Sequence, residues 1–207
     1  MKLDSRHIIL QKIAAFSDKR VVNATFENED TRIYKPIEGS LDSCFQAELA
    51  LIGGEAFSFK TDVELYASLN SFLVEKGFSA VYSCLPDIQN LLPNVFLNGE
   101  PYADMDAAIT ECEFLVARTG SVLISSASYG GRQLNVFPPV HIVIAKRSQL
   151  LPFVTDALQA LQEKYLGALP SLVSLISGPS RTADIEKTLV MGAHGPRELY
   201  VFITENL

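Results

Sequence analysis

The chain has 207 residues, 48% of them hydrophobic, which is enough for one substantial core. A formal charge of −7 and a pI near 5.0 argue against nucleic acid as the main partner, because neutralising phosphates needs a basic surface. No apolar run reaches the roughly 18–20 residues of a membrane span, and Met1-Lys-Leu-Asp-Ser-Arg6 lacks the apolar core of a signal peptide, so the expectation is a cytoplasmic protein.

Asp4 or Ser5 caps a first helix to about Phe16, with Ile9, Ile13 and Phe16 on one face. Asn23 to Glu38 is polar and reads as a mobile connection, so residues 1–40 are expected to form a helix and linker packed on a single domain spanning 1–207. Leu41, Phe45, Leu49 and Ile52 recur at helical spacing, and Gly53-Gly54 ends that helix. Phe57–Phe59 is a short strand; Thr61 and Glu64 form a capping-box pattern for a third helix, with Leu65, Leu69, Phe72 and Leu73 inward and Gly77 as its stop.

Strands and turns dominate from there. Ala80–Cys84 reads as a strand and Pro86–Leu92 as a short helix. Glu113–Ala117 and Val122–Ser125 flank Thr119-Gly120, the pattern of a hairpin or tight connection. Val140–Ile144 is a further strand. Pro152 suits the first turn of a long helix whose stripe is Val154, Leu158, Leu161 and Tyr165. Leu172–Ile176 and Leu199–Ile203 read as central strands covered on both faces. The alternation of elements predicts an α/β fold, a mostly parallel central sheet with helices on both faces.

The polar residues concentrate in Gly178-Pro-Ser-Arg-Thr-Ala-Asp-Ile-Glu186 and Gly192-Ala-His-Gly-Pro-Arg-Glu-Leu-Tyr200. Arg, Ser, Thr and free backbone N–H groups together suit a carboxylate or phosphate. Either Ser180 or Thr182 caps a short helix through Glu186 and leaves its first N–H groups to an anion, or both hydroxyls only cap while Arg181 pairs with Asp184 or Glu186. His194 is the candidate general acid or base, or a structural hydrogen-bonder in a turn. Arg181 and Arg197 would hold the anion. Thr119, Gly120 and Ser121 would form the opposite wall, and Arg132, after Gly130-Gly131, is a further anion contact; turn chemistry alone also explains both loops. Cys44, Cys84 and Cys112 form no close pair, and His7, His141 and His194 lack ligand-like spacing, so no metal, iron–sulfur cluster or other cofactor is expected in this chain.

These two C-terminal stretches, with Thr119-Gly-Ser121, Gly131-Arg132 and Pro139-Val-His-Ile142, resemble the signature of the LUD-domain family, typified by the lactate-utilization protein C or YkgG type. The similarity runs from about Ala103 to the C-terminus. It implies a three-layer α/β fold of the NagB/RpiA/CoA-transferase class. It also implies a subunit accessory to bacterial oxidation of L-lactate to pyruvate, with iron–sulfur partner proteins and a small anionic metabolite as ligand. Many relatives carry an acidic residue before the Thr-Gly turn, where this chain has Arg118. A stand-alone enzyme acting on an organic acid, phosphosugar or CoA ester, and a structural interaction module, are the competing readings.

Overall fold

The computed structural model describes residues 5–17, 36–86, 88–92, 95–97, 104–130, 132–185, 188–192 and 194–205. They fall into two compact units, 1–36 and 37–207. In the first, helix α1 spans Ser5–Ser17, close to its expected range. The connection expected from Asn23 lies outside the described residues as far as Lys35, as do the side chains of Ile13 and Phe16.

In the second unit the chain runs through α2 (Leu41–Leu51), β1 (Glu55–Phe59), α3 (Asp62–Glu75), β2 (Val81–Ser83), α4 (Ile88–Leu91), β3 (Val95–Leu97) and β4 (Ala107–Glu111). It continues with β5 (Phe114–Val116), β6 (Ser121–Ser125), β7 (Val140–Lys146), β8 (Leu150–Leu151) and α5 (Val154–Lys164). The last strands are β9 (Val173–Ile176), β10 (Arg181–Ile185), β11 (Thr188–Met191) and β12 (Glu198–Thr204). Six of these make a wholly parallel sheet in the order β1-β12-β7-β4-β2-β3.

Side chains on a strand alternate between faces, and a strand buried on both faces is apolar almost throughout. β7 and β12 show this directly. Ile142, Ile144, Tyr200 and Phe202 pack on one side with Leu65, Leu69 and Leu73 of α3 and with Ile88 of α4. Val143, Ala145, Val201 and Ile203 pack on the other with Phe45 and Leu49 of α2 and with Leu115, Val122 and Ile124. Those last three belong to a second, four-stranded sheet, β8-β5-β6-β9, which shares this face with α2. Val116 and Leu123 on the reverse of that sheet meet Ala157 and Leu161 of α5. The expected parallel sheet with helices is therefore present, and a second, mixed sheet, antiparallel but for its β5–β8 pairing, lies within the layer on one side.

Local signals set most boundaries. Ser40 Oγ accepts the Ser43 N–H at the start of α2, and Thr61 Oγ1 accepts that of Glu64 at the start of α3. Gly53 (φ +86°) and Gly77 (φ +69°) end these helices in the left-handed region.

Four expectations are corrected. β9 is an edge strand of the small sheet, with Leu175 37% exposed, rather than a central strand. Leu158 is 43% exposed because α5 turns a narrow face, Ala157 and Leu161, to the sheet. Pro152 precedes the cap residue Phe153 and so stands outside the first turn of α5. Residues 181–185 form a strand paired with β11, so Ser180 and Thr182 cap no helix.

Gly120 locks α2 to the small sheet. Its φ is +57°, and a Cβ there would lie 2.3 Å from the Leu49 nitrogen and 2.6 Å from the Glu48 carbonyl carbon. Gly77 has a similar φ, +69°, with nothing within 4 Å of a Cβ. Gly120→Ala is expected to cost roughly 2–5 kcal/mol, from left-handed strain plus overpacking. Gly77→Ala should cost only the strain, about 1–2 kcal/mol. Urea unfolding of both variants checks the difference; equal losses would mean that the α2 contact yields freely.

Candidate functional site

The two Gly-rich C-terminal loops meet through backbone hydrogen bonds. The Ser180 N–H donates to the Pro196 carbonyl at 2.7 Å, and the Gly192 N–H donates to the Ser180 carbonyl at 2.9 Å. The β10–β11 hairpin lies between them in sequence and brings the chain back on itself. Gly178 (φ +80°) lets the first loop pass the end of α2, where a Cβ would stand 2.6 Å from the Ile52 carbonyl oxygen. The Arg197 N–H donates to the Pro139 carbonyl at 2.8 Å, tying the second loop to the start of β7.

Beneath these loops is a cavity of about 210 Å³, whose lining includes Asn135, His141, Ser177, Ser180, His194 and Leu199. His141, on β7, is fully buried, and its Nε2 lies 2.8 Å from Thr110 Oγ1 on the adjacent β4. Which of the two donates is set by the imidazole tautomer. Nδ1 has no hydrogen-bond partner among the described residues. Burial pushes the His141 pKa down to about 4, so the ring is neutral near pH 7. Ser121 Oγ lies 2.8 Å from the hydroxyl of Ser177, in hydrogen-bond contact, and 3.2 Å from the Thr119 carbonyl. Ser121 therefore supports one wall of the cavity from behind.

Of the residues expected at the site, Ser180 and His194 line this cavity. The others have different positions. Arg181 donates through Nη2 to the Ile52 carbonyl at the C-terminal end of α2, where the helix dipole favours a cation. Arg132 donates to Ser171 Oγ at 2.8 Å, and Gly131 lies outside the described residues. Thr182 pairs with Val190 in the hairpin, Arg197 is exposed, and Thr119 and Gly120 pack beside α2. Arg118, just before the Thr119-Gly120 turn, pairs with Glu48 at 3.2 Å.

A larger cleft of about 490 Å³ opens at the carboxyl ends of β2, β4 and β7, lined by Leu85, Glu111, Glu113, Lys146, Lys164 and Tyr165 among others. Glu113 is buried and accepts from Lys164 Nζ at 2.7 Å, Tyr165 OH at 2.8 Å and Ser125 Oγ at 2.5 Å. Burial pushes its pKa up, but these hydrogen bonds outweigh burial and hold the carboxyl below its usual range. No short-range pattern announces this group, because Lys164 is 51 residues away in sequence. His141 did carry a signal: it is a histidine inside an otherwise apolar strand.

Residues 98–204, just over half of the chain, match the LUD domain. A lactate utilization protein C from Halalkalibacterium halodurans is 36% identical over 103 residues, which make up 48% of this chain and 45% of that protein. An uncharacterized protein from Neisseria meningitidis serogroup B is 38% identical over 103 residues, 49% of this chain and 43% of that protein. The matched part of the chain thus spans less than half the length of these relatives. A crystal structure of a DUF162 family protein from Deinococcus radiodurans shares the fold, with a TM-score of 0.60 at 19% identity over 82% of this chain and 99% of that one. No described helix is long and apolar enough to cross a membrane.

The neutral His141 makes stability depend on pH. Its folded pKa of about 4 lies below its ordinary value of 6.5, so the unfolded chain binds the proton more readily. Stability is whole above pH 6.5 and falls as the pH drops toward 4, by on the order of 3 kcal/mol from this group. Denaturant unfolding at pH 7 and pH 4.5 should show a smaller acid loss for His141→Leu than for wild type. Parallel losses would place the ring in contact with water.

Proposed function

This chain belongs to the LUD domain family, and on that premise we propose that it serves bacterial lactate utilization as a cytoplasmic accessory subunit. In this reading it works beside iron–sulfur partner proteins in the oxidation of L-lactate to pyruvate, and it binds a small carboxylate beneath its C-terminal loops. Support for the pathway comes from the relative named lactate utilization protein C. Support for ligand binding comes from one observation above all: both Gly-rich loops line one cavity, mostly apolar, whose lining also includes the buried His141. Electrons from lactate pass to the partners, while this chain presents hydrogen-bonding groups. His194 and Ser180 both line the cavity, and in this reading they would orient the carboxylate.

The larger cleft favours a second reading, a stand-alone enzyme acting on an organic acid, phosphosugar or CoA ester. It lies where open α/β sheets bind ligands, and it gathers two lysines and two carboxylates.

Deleting this chain from its host, in a background without other lactate-oxidising enzymes, should abolish growth on L-lactate and leave growth on pyruvate intact. A plasmid copy should restore it. The purified chain alone should give no lactate-dependent dye reduction and carry no stoichiometric iron. Undiminished growth of the deletion strain would sink the pathway assignment, and robust turnover by the isolated chain would favour the second reading.

A further inference from the structure

The larger cleft stands at the carboxyl ends of β4 and β7, and its charged side chains divide into two sets. Glu113 and Lys164 neutralise each other at 2.7 Å, and the Tyr165 and Ser125 hydroxyls engage the rest of the buried carboxylate. Glu111 and Lys146 remain. Glu111 closes β4 opposite Ile144 of β7, and Lys146 lies two residues beyond Ile144, so by strand alternation all three side chains share one face. Both charged residues line the cleft, Glu111 partly exposed and Lys146 exposed. At a strand spacing of about 4.8 Å and a rise of about 3.3 Å per residue, their Cα atoms stand roughly 8 Å apart. Yet they form no ion pair with each other, and Lys146 forms none with any carboxylate among the described residues. Glu111 accepts the Tyr129 N–H through one oxygen, at 3.2 Å.

A carboxylate and an ammonium held on one wall, but not bonded to each other, match a ligand head that carries both charges a short distance apart. A phosphate dianion fits poorly, because it would meet one uncompensated cation beside a carboxylate. The cleft also has room for more than the head: about 490 Å³ equals the liquid volume of roughly sixteen waters. Tyr66, Leu85, Ile144 and Tyr165 in its lining offer aromatic and aliphatic surface to an apolar body. We infer that this cleft binds a free α-amino acid with a large apolar side chain, its ammonium on Glu111 and its carboxylate on Lys146. The inference rests on the second reading above in one respect, that the cleft takes a ligand, and it narrows that ligand to a zwitterion.

Calorimetric titrations of the whole chain with L-phenylalanine and L-leucine provide the test. Each is run beside its analogue without the ammonium (phenylpropionate, isocaproate) and its analogue without the carboxylate (phenethylamine, isoamylamine). At least one amino acid should bind, and both of its analogues should bind at least about tenfold more weakly, the scale of one lost charge-assisted hydrogen bond. Two variants then locate the two ends of the ligand. Glu111→Gln should weaken the amino acid about tenfold and leave the analogue without the ammonium at its wild-type affinity. Lys146→Met should weaken the amino acid to a similar extent and leave the analogue without the carboxylate unchanged. Urea unfolding of both variants checks that the fold is intact. An analogue that binds wild type as tightly as its amino acid overturns the inference, as does full amino-acid affinity in either variant. Tight binding of the plain carboxylates overturns it while preserving the second reading. If none of the six compounds binds, the inference fails, and turnover by the isolated chain judges the second reading separately.

Discussion

The parallel insertion of β12 between β1 and β7 is the constraint on which the rest of the second unit depends. The strand pairs residue for residue with both neighbours, Tyr200 opposite Glu55 and Ile142. Its alternate side chains feed the two cores on opposite faces of the sheet, so without it each core loses a wall. These pairings join the end of the chain to segments that occur far earlier. Such non-local pairings carry the loop-closure entropy of long chain separations, which the burial on both faces of β12 must offset. The cavity follows from the same insertion: β12 places Leu199 opposite His141, and the loop before it is tied to Pro139.

Two buried polar side chains show how differently such groups can be accommodated. Glu113 is satisfied by groups from two other elements, Ser125 of β6 and Lys164 at the end of α5 with Tyr165 just beyond it. That network fastens α5 to the small sheet, and breaking one partner of it would leave charge or hydroxyl uncompensated in a dry place. Its oxygens are already engaged, so it reads first as architecture. His141 is half satisfied. The ring meets the cost of burial by staying neutral, while its Nδ1 stays buried with no hydrogen-bond partner among the described residues.

Much of the fold was legible because it is written in local periodicity. The helical spacing of Phe45 and Leu49, the Thr61 cap, the Thr119-Gly120 turn and the apolar runs of β7 and β12 all mark what forms there. What escaped was written in distant contacts. Ala107–Glu111 has few strong strand formers, and its place in the sheet comes from pairing with β2 and β7. Leu172–Ile176 looked central because an apolar run does not say which sheet it joins. At the site, the convergence of the two Gly-rich loops was legible from their composition, whereas Asn135 and His141 reach the cavity only through the folded sheet.

The arginines show why composition alone misleads about ligand charge. Arg, Ser and Thr in a Gly-rich loop suggest an anion receptor, but a guanidinium satisfies whichever acceptor the fold brings nearest. For Arg181 that acceptor is the Ile52 carbonyl, one of the orphaned carbonyls at the negative end of α2. Using the cation there stabilises the junction of α2 with the β9–β10 loop and leaves the cavity to hydroxyls, amides and imidazoles. Such neutral groups are directional but supply little long-range attraction. The placement of a structural arginine thus narrows the chemistry of the neighbouring cavity.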